Sequence, residues 1–259
     1  MPGSAAHDSC FAFLVSRLRS LAPVVECDTF DYDSPDLGKE VRLMNALARF
    51  EPRAKQRILF SAHWDSRPWA DRDPDSTLRA RPVLGANDGA SGVAVLLEVA
   101  RVLRKNRPAL GVDIALFDGE DLGTEKNPSG FFRGSTRYVD WRGEDRPIFM
   151  VLLDMVGKKD LKIRWEPNSR QQAPNIVDLV WGEARELGME GFRSEPGPRL
   201  YDDHIPFLNA GIPAIDLVDL EFPEWHTTHD TPAVCSPRSL EAVGRVLVSL
   251  ATRASFLSR

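Results

Sequence analysis

Two adjacent carboxylates, Glu120 and Asp121, follow an apolar run that predicts a strand over 112–117, and Gly119 lets the backbone turn after that strand. Successive residues that leave a strand point in different directions. One carboxylate can therefore ligate a metal ion while its neighbour faces a substrate as an acid or a base. An isolated Glu-Asp pair is more often solvated surface, because charged residues are mostly exposed. The pair gains its weight from the residues that accompany it.

Other residues able to bind metals or move protons are spread along the chain, several of them where a predicted apolar strand stops. They are His63, Asp65, Asn87, Asp88, Asp154, Asp202, Asp203, His204 and His226, the last of which follows Trp225. Open α/β sheets bind their ligands in the crevice outside the carboxyl ends of the strands. We therefore expect these side chains to meet at one edge of a sheet.

A metal site is the chemistry that these residue types favour. Asp88, Asp121 and His226 offer two carboxylates and one imidazole, which suits Zn²⁺ with one position left for water or substrate. His63 and Asp154 could complete a second metal position, with Asp88 as the bridge. Taken singly, each residue has a plainer explanation, since Asp88 could cap the helix that follows it and His226 could be a loop residue. Taken together at successive strand ends, they favour the metal.

The elements that must position these residues alternate between short apolar strands and amphipathic helices. Strands or extended segments are predicted over 24–30, 41–50, 57–62, 112–117, 148–153 and 212–218. Helices are predicted over 10–21, 92–104, 176–188 and 239–257, and the segment 64–84 is predicted to be a long polar loop. This alternation predicts a single α/β domain over 1–259, with a central mixed, mostly parallel sheet and helices on both faces.

Bulk composition narrows the class of protein. The chain has 259 residues, a net charge of −5 and a pI near 5.6, which argues against a nucleic-acid-binding surface. No apolar run approaches the roughly 20 residues needed to span a bilayer. The opening Met-Pro-Gly-Ser lacks a basic and apolar leader, so no secretory signal is visible. Composition assigns neither a compartment nor an oligomer, and we expect a monomer.

Five segments resemble, in order, the motifs of the zinc-dependent aminopeptidase superfamily. They are Ser61-Ala-His-Trp-Asp-Ser66, Gly85-Ala-Asn-Asp88, Phe117-Asp-Gly-Glu-Asp121, Val151-Leu-Leu-Asp154 and His226-Thr-x-x-Asp230. Three others look more like its glutaminyl cyclase branch, the animal-type zinc enzymes and their bacterial relatives. They are Asp202-Asp203-His204-Ile-Pro-Phe-Leu208, Phe222-Pro-Glu-Trp225-His226-Thr and Leu153-Asp-Met-Val-Gly157. Aminopeptidases usually carry Ser at the position of Asp202 and often Tyr at that of Trp225. The resemblance covers nearly the whole chain.

The resemblance implies a glutaminyl-peptide cyclotransferase, which converts the N-terminal glutamine of peptides or proteins to pyroglutamate and releases ammonia. It implies one Zn²⁺ per chain, held by Asp88, Asp121 and His226, as a Lewis acid toward the glutamine side-chain amide. Glu120 would take a proton from the substrate amine and pass it to the departing ammonia. No external nucleophile is needed for this reaction, so orientation and charge stabilisation would be the main tasks.

The resemblance also implies roles for residues around Glu120. Asp154 and Asp202 would lie beside it and share a proton, because clustered like charges favour partial neutralisation. Trp225 and Phe222 would form the wall of an apolar pocket that fits one small side chain, although core packing explains Phe222 equally well.

Two alternatives remain open at the level of sequence. One is an aminopeptidase with a two-metal site in which His63 and Asp154 are both ligands. In the cyclase, by contrast, His63 would be a buried structural histidine. The other alternative is a non-catalytic relative that uses the fold as an interaction module, which the intact Glu120 and complete ligand set argue against. Members of the family are often exported, but this chain gives no localisation of its own.

Overall fold

The main sheet determines where the candidate residues lie. A computed structural model describes residues 1–143 and 145–253, and its main sheet has six strands in the order β1-β2-β4-β3-β5-β8. Their bounds are β1 Val24–Ser34, β2 Lys39–Phe50, β3 Arg57–His63, β4 Gly111–Phe117, β5 Phe149–Asp154 and β8 Ala214–Val218. Strands β1, β2 and β4 pair antiparallel, whereas β4, β3, β5 and β8 are mutually parallel. The predicted mixed, mostly parallel sheet is confirmed.

Helices cover both faces of this sheet. Their bounds are α1 Ala5–Arg19, α2 Ala90–Lys105, α3 Arg133–Arg142, α4 Pro167–Gln172, α5 Pro174–Glu186, α6 His204–Asn209 and α7 Pro237–Thr252. Helices α1, α2, α5 and α7 share one apolar core with the sheet, and α3 and α6 share the core on the opposite face. Alternate residues of β3 divide between these cores, with Phe60 on one side and Leu59 on the other, as the two-residue period of a strand requires.

The sequence predicted the long elements and missed several short ones. The predicted helix over 92–104 begins two residues earlier, and residues 254–257 of the predicted last helix lie outside the described residues. Unpredicted elements are α3, α4, α6 and a small parallel sheet of β6 Ile163–Trp165 and β7 Phe192–Pro196. In the described part of the chain, no helix combines the length and apolarity that crossing a membrane needs.

The carboxyl ends of the parallel strands meet along one edge of the sheet. Strand β3 ends at His63 and β5 ends at Asp154, and β4 is followed within four residues by Glu120 and Asp121. Helix α2 begins two residues after Asp88 and returns across the sheet face. Because β3 lies between β4 and β5, the loops that follow these strands surround a common crevice.

Helix α2 lies so close to the sheet that one position along it must be glycine. A Cβ added at Gly92 would lie 2.5 Å from the carbonyl oxygen of Leu153 and 2.8 Å from the Cβ of Ala62. The same atom at Gly244, on α7, would meet its nearest neighbour, Val95, at an ordinary 3.7 Å. These two glycines therefore form a matched pair for testing the packing.

Gly92→Ala should lower the free energy of unfolding by about 1–3 kcal/mol, because overpacking forces the helix and sheet apart. Gly244→Ala should leave it unchanged or raise it by up to about 1 kcal/mol, since alanine has the higher helix propensity. Urea denaturation of the two variants beside the parent measures both values. Equal stability of the two variants would contradict the close helix–sheet approach.

Candidate active site

Three of the predicted metal ligands converge at the carboxyl edge of the sheet. Nε2 of His226 lies 3.6 Å from Oδ2 of Asp88 and 3.4 Å from Oδ1 of Asp121. Nε2 of His63 approaches the same cluster, 3.1 Å from Oδ1 of Asp88. One ligand atom each of His63, Asp88 and Asp121 lies within 4.8 Å of the other two. All four side chains are buried.

Two further buried carboxylates hold the backbone of the segments that carry Asp88 and Asp121. The oxygens of Asp65 accept the N–H groups of Glu120 and Asp121, both at 3.2 Å. The oxygens of Asp230 accept the N–H groups of Asn87 and Asp88, at 2.8 and 3.1 Å. Charge-assisted hydrogen bonds of this kind are stronger than neutral ones, so both turns are fixed before any ligand binds.

His226 is positioned by the long loop 64–84. Its backbone has a φ of 56°, and its carbonyl accepts the N–H of Arg72 at 3.2 Å. Two residues further on, the N–H and hydroxyl of Thr228 donate to one oxygen of Asp73, at 2.9 and 2.7 Å. The guanidinium of Arg72 also lies over the ring of Trp225, 4.4 Å from its centre. The loop therefore fixes the segment that carries His226.

The cluster has the chemistry of a cation site. Oδ2 of Asp121 is buried and has no hydrogen-bond partner among the described residues. Burial, and then the charge of Asp121, raises the pKa of Asp88 to about 7, against an opposing hydrogen bond from His63. Burial also acts to raise the pKa of Asp121, but the neighbouring His226 and Arg67 outweigh it and hold that pKa well below its usual range. Crowded carboxylates beside an imidazole nitrogen form a donor set that fits Zn²⁺.

The candidate acid–base residues share a cavity with these ligands. Glu120, Asp154, Asp202 and Trp225 line a cavity of about 520 Å³ that is also lined by Asp88, Asp121 and His226. Burial, and then the charges of Asp121 and Asp202, raises the pKa of Glu120 well above its usual value. Burial, and then Asp154, likewise raises the pKa of Asp202. A carboxyl group with a raised pKa can hold a proton and release it near neutral pH.

His63 and Asp154 lie in direct contact. Oδ1 of Asp154 is 3.3 Å from Nε2 of His63, and Nδ1 of His63 is 3.5 Å from Oδ1 of Asp65. Two atoms that each ligate a zinc ion at about 2 Å are also about 3.3 Å apart in a tetrahedral site. These distances therefore fit either a hydrogen-bonded histidine or a second metal position. The shared proton between Asp154 and Asp202 stays a prediction.

Only one of the two aromatic residues predicted to form a pocket wall lines the cavity. Trp225 lines the cavity, but Phe222 is absent from its lining and is only 4% exposed, in an apolar cluster with Met155 and Val218. The prediction that Phe222 forms a pocket wall is therefore corrected, and Leu220 occupies the wall instead. A strand-proximal phenylalanine gains more from core packing than from partial exposure.

Several cavity residues were missed from the sequence. They include the charged Arg67, Asp71 and Arg72, together with Leu200 and Tyr201. The available signal for the first three was the length and charge of loop 64–84, because long loops in compact domains are often functional. No pattern of spacing marked Leu200 or Tyr201.

The fold and the cluster together define an α/β protein with a candidate metal centre at the carboxyl edge of its sheet. A sequence model of Peptidase family M28 matches residues 45–251, and the chain belongs to that family. The matched region contains the candidate site and most of the sheet and helices of this chain. Only α1, β1, the first part of β2 and the last residue of α7 lie outside it.

The chain is similar to named proteins and to solved structures of the same fold. The chain is 28% identical to a glutaminyl-peptide cyclotransferase from Drosophila melanogaster, over 90% of this chain and 70% of the relative. A solved structure of Bacteroides thetaiotaomicron glutaminyl cyclase bound to N-acetylhistamine is 34% identical, with a TM-score of 0.92, over 97% of this chain and 91% of that one. A Zn-dependent exopeptidase from Parabacteroides distasonis is 33% identical, with a TM-score of 0.90, over 98% and 92%. These likenesses point to zinc as the metal for the candidate site.

Proposed function

We propose that this protein is a zinc-dependent glutaminyl-peptide cyclotransferase that acts on peptides or proteins with an N-terminal glutamine. The observation that carries the proposal is the single cavity in which Glu120, Asp154 and Asp202 face the cluster of Asp88 and His226. Relatives named for this activity, among both sequences and solved structures, support it. The reaction forms a bond between the substrate α-nitrogen and its side-chain carbonyl carbon, and breaks the bond from that carbon to the amide nitrogen.

Asp88, Asp121 and His226 would hold one zinc ion per chain. When bound, zinc supplies Lewis acidity toward a carbonyl oxygen. The charges of Asp88 and Asp121 and the imidazole of His226 match that ion in type and number, and they leave room for a substrate oxygen on the cavity side.

Glu120 is the proposed general base and general acid. Its carboxylate takes a proton from the α-amine as the ring closes and delivers that proton to the departing nitrogen, which leaves as ammonia. The reaction balances without an external nucleophile. The lone pair of the amine forms the new carbon–nitrogen bond, and the amide nitrogen leaves with the electron pair of the broken bond and takes up the proton. Glu120 lines the cavity, where one carboxylate would serve both nitrogens in turn.

Asp154 and Asp202 would support this transfer. Each lines the same cavity as Glu120. A proton shared between Asp154 and Asp202 would reduce their repulsion. Their remaining oxygens would accept hydrogen bonds from the substrate amine and hold it in place. The indole of Trp225 covers one side of the cavity, where it would exclude water and favour ring closure over hydrolysis.

A two-metal aminopeptidase is the alternative function. The observation that favours it is the contact of His63 with both Asp88 and Asp154, at 3.1 and 3.3 Å, because a second ion bridged by Asp88 would use the same atoms. A bridged pair of metal ions about 3.5–4 Å apart activates water for peptide hydrolysis. The likeness to a protein described as a Zn-dependent exopeptidase also supports this alternative.

The activity itself separates the two functions. Zinc-loaded protein should release ammonia from peptides that begin with glutamine and should release no amino acid from leucine-initiated peptides or leucyl-anilides. A matched substrate is the same glutamine peptide with an acetylated N-terminus, which cannot cyclise because its nitrogen is a poor nucleophile. Efficient release of leucine without ammonia from the glutamine peptide would establish the aminopeptidase instead.

A further inference from the structure

Arg67 and Asp71, both in loop 64–84, form an ion pair. Nε and Nη2 of Arg67 donate to the two oxygens of Asp71, at 2.9 and 2.7 Å, which is the fork-to-fork geometry of the stronger arginine–carboxylate pairs. The Arg67 side chain is only 4% exposed, whereas that of Asp71 is 46% exposed. The pair therefore extends from the buried site to the solvent rim.

The arginine end of this pair contacts one candidate metal ligand. Nη1 of Arg67 lies 3.1 Å from Oδ1 of Asp121, and it also donates to the backbone carbonyls of Asp121 and Gly123, at 3.2 and 3.3 Å. All three nitrogens of the guanidinium are thus engaged by the protein. Arg67 holds both the side chain and the turn of Asp121, and no nitrogen of it is left without a protein partner.

The aspartate end faces another candidate ligand. Oδ1 of Asp71 lies 3.6 Å from Nδ1 of His226, on the opposite side of the ring from the Nε2 atom that faces Asp88 and Asp121. The negative charge of a carboxylate this close to Nδ1 stabilises a proton on that nitrogen, which favours the tautomer whose Nε2 carries a free lone pair. One ion pair therefore touches two ligands that come from loops more than 100 residues apart in sequence.

We infer that Arg67 and Asp71 are positioning residues that couple Asp121 and His226 into one metal-binding unit. This inference rests on the proposed zinc-dependent function. Partners of this kind fix the ring orientation of a ligating histidine and the direction of a ligating carboxylate, and their loss typically lowers metal affinity or activity by 10- to 100-fold. The guanidinium also offsets the excess negative charge of the carboxylates around it.

Asp71→Asn is the cleanest test, because the side chain is half exposed and the substitution keeps its shape. Zinc affinity, measured for purified protein by competition with a chromogenic chelator, should fall about 10- to 100-fold. The matched control is Asp75→Asn in the same loop, whose exposed carboxylate accepts only from Thr77 in the described structure. That control should bind zinc as the parent does. Thermal unfolding of the metal-free proteins checks that all remain folded.

Arg67→Lys and the double variant test the coupling. Lysine keeps the charge but cannot contact Asp71 and Asp121 together, so zinc affinity should fall, and the double variant should bind little more weakly than the worse single variant. Equal zinc affinity for Asp71→Asn, Asp75→Asn and the parent would overturn the inference. A parent that binds no zinc would instead overturn the proposed function, so the two failures are distinguishable.

Discussion

Glu120→Gln should retain zinc and lose cyclisation by roughly 10²–10⁴-fold, the usual loss when a general acid–base group is removed. Glutamine has nearly the shape of glutamate but cannot take a proton from an amine at neutral pH. The backbone N–H of residue 120 would still donate to Asp65, so the turn that carries Asp121 should stay in place. Ammonia release from a glutamine peptide gives the turnover, and metal analysis of the same sample gives the zinc content.

A matched carboxylate elsewhere on the chain serves as the control for this prediction. Glu98 lies on the exposed side of α2 and pairs with Arg101, at 2.5 Å, well away from the cavity residues. Glu98→Gln should keep parental turnover, because a surface ion pair contributes at most about 1 kcal/mol to stability and nothing to the site. Parental turnover in Glu120→Gln would show that another group moves the proton.

The edge of the sheet at which the candidate metal ligands meet can be predicted from the sequence because its signals are local. Strand β3 is a continuous buried run that ends at His63, and β5 is another that ends at Asp154. Strands of a parallel sheet that are buried on both faces are apolar throughout. The first polar residue after such a run is therefore visible as a strand end. The parallel order of the strands brings the strand-end residues to one edge, and the loops that carry Asp88 and His226 complete the cluster there.

The groups that hold these ligands could not be predicted from the same signals. Asp65 and Asp230 each accept backbone N–H groups of another loop. Both residues lie in the motif segments, but nothing in the sequence shows which backbone groups they bind. The partner of a loop carboxylate is decided by tertiary packing, which leaves no periodic trace in the chain. Arg67 and Asp71 belong to the same category.

Phe222 illustrates the opposite error, in which a correct motif suggested the wrong contact. It precedes Trp225 in the segment that resembles the cyclase branch, yet it packs against Met155 and Val218. A motif fixes the order of residues but not which face of an irregular turn each occupies. Trp225 lines the cavity, and the guanidinium of Arg72 lies over its ring.

Zinc content should separate a one-metal site from a two-metal site through a single pair of variants. We expect one zinc ion per chain in the parent, none in Asp88→Ala and one in Asp154→Asn. Asp88 is common to both arrangements, so its loss should remove metal and activity together. Asp154 is a ligand only in the two-metal arrangement. In the one-metal arrangement its loss should lower turnover without emptying the site.

Chelation adds a reversible version of the same test. Prolonged treatment with a strong chelator should abolish ammonia release, and added Zn²⁺ should restore it at about one ion per chain, because Asp88, Asp121 and His226 would hold a single ion. Asp154→Asn should recover its lower turnover at the same ratio. Two zinc ions in the parent that fall to one in Asp154→Asn, with efficient release of leucine, would mean that His63 and Asp154 hold a second ion. The contacts of 3.1 and 3.3 Å around His63 would then be ligand–ligand distances rather than hydrogen bonds.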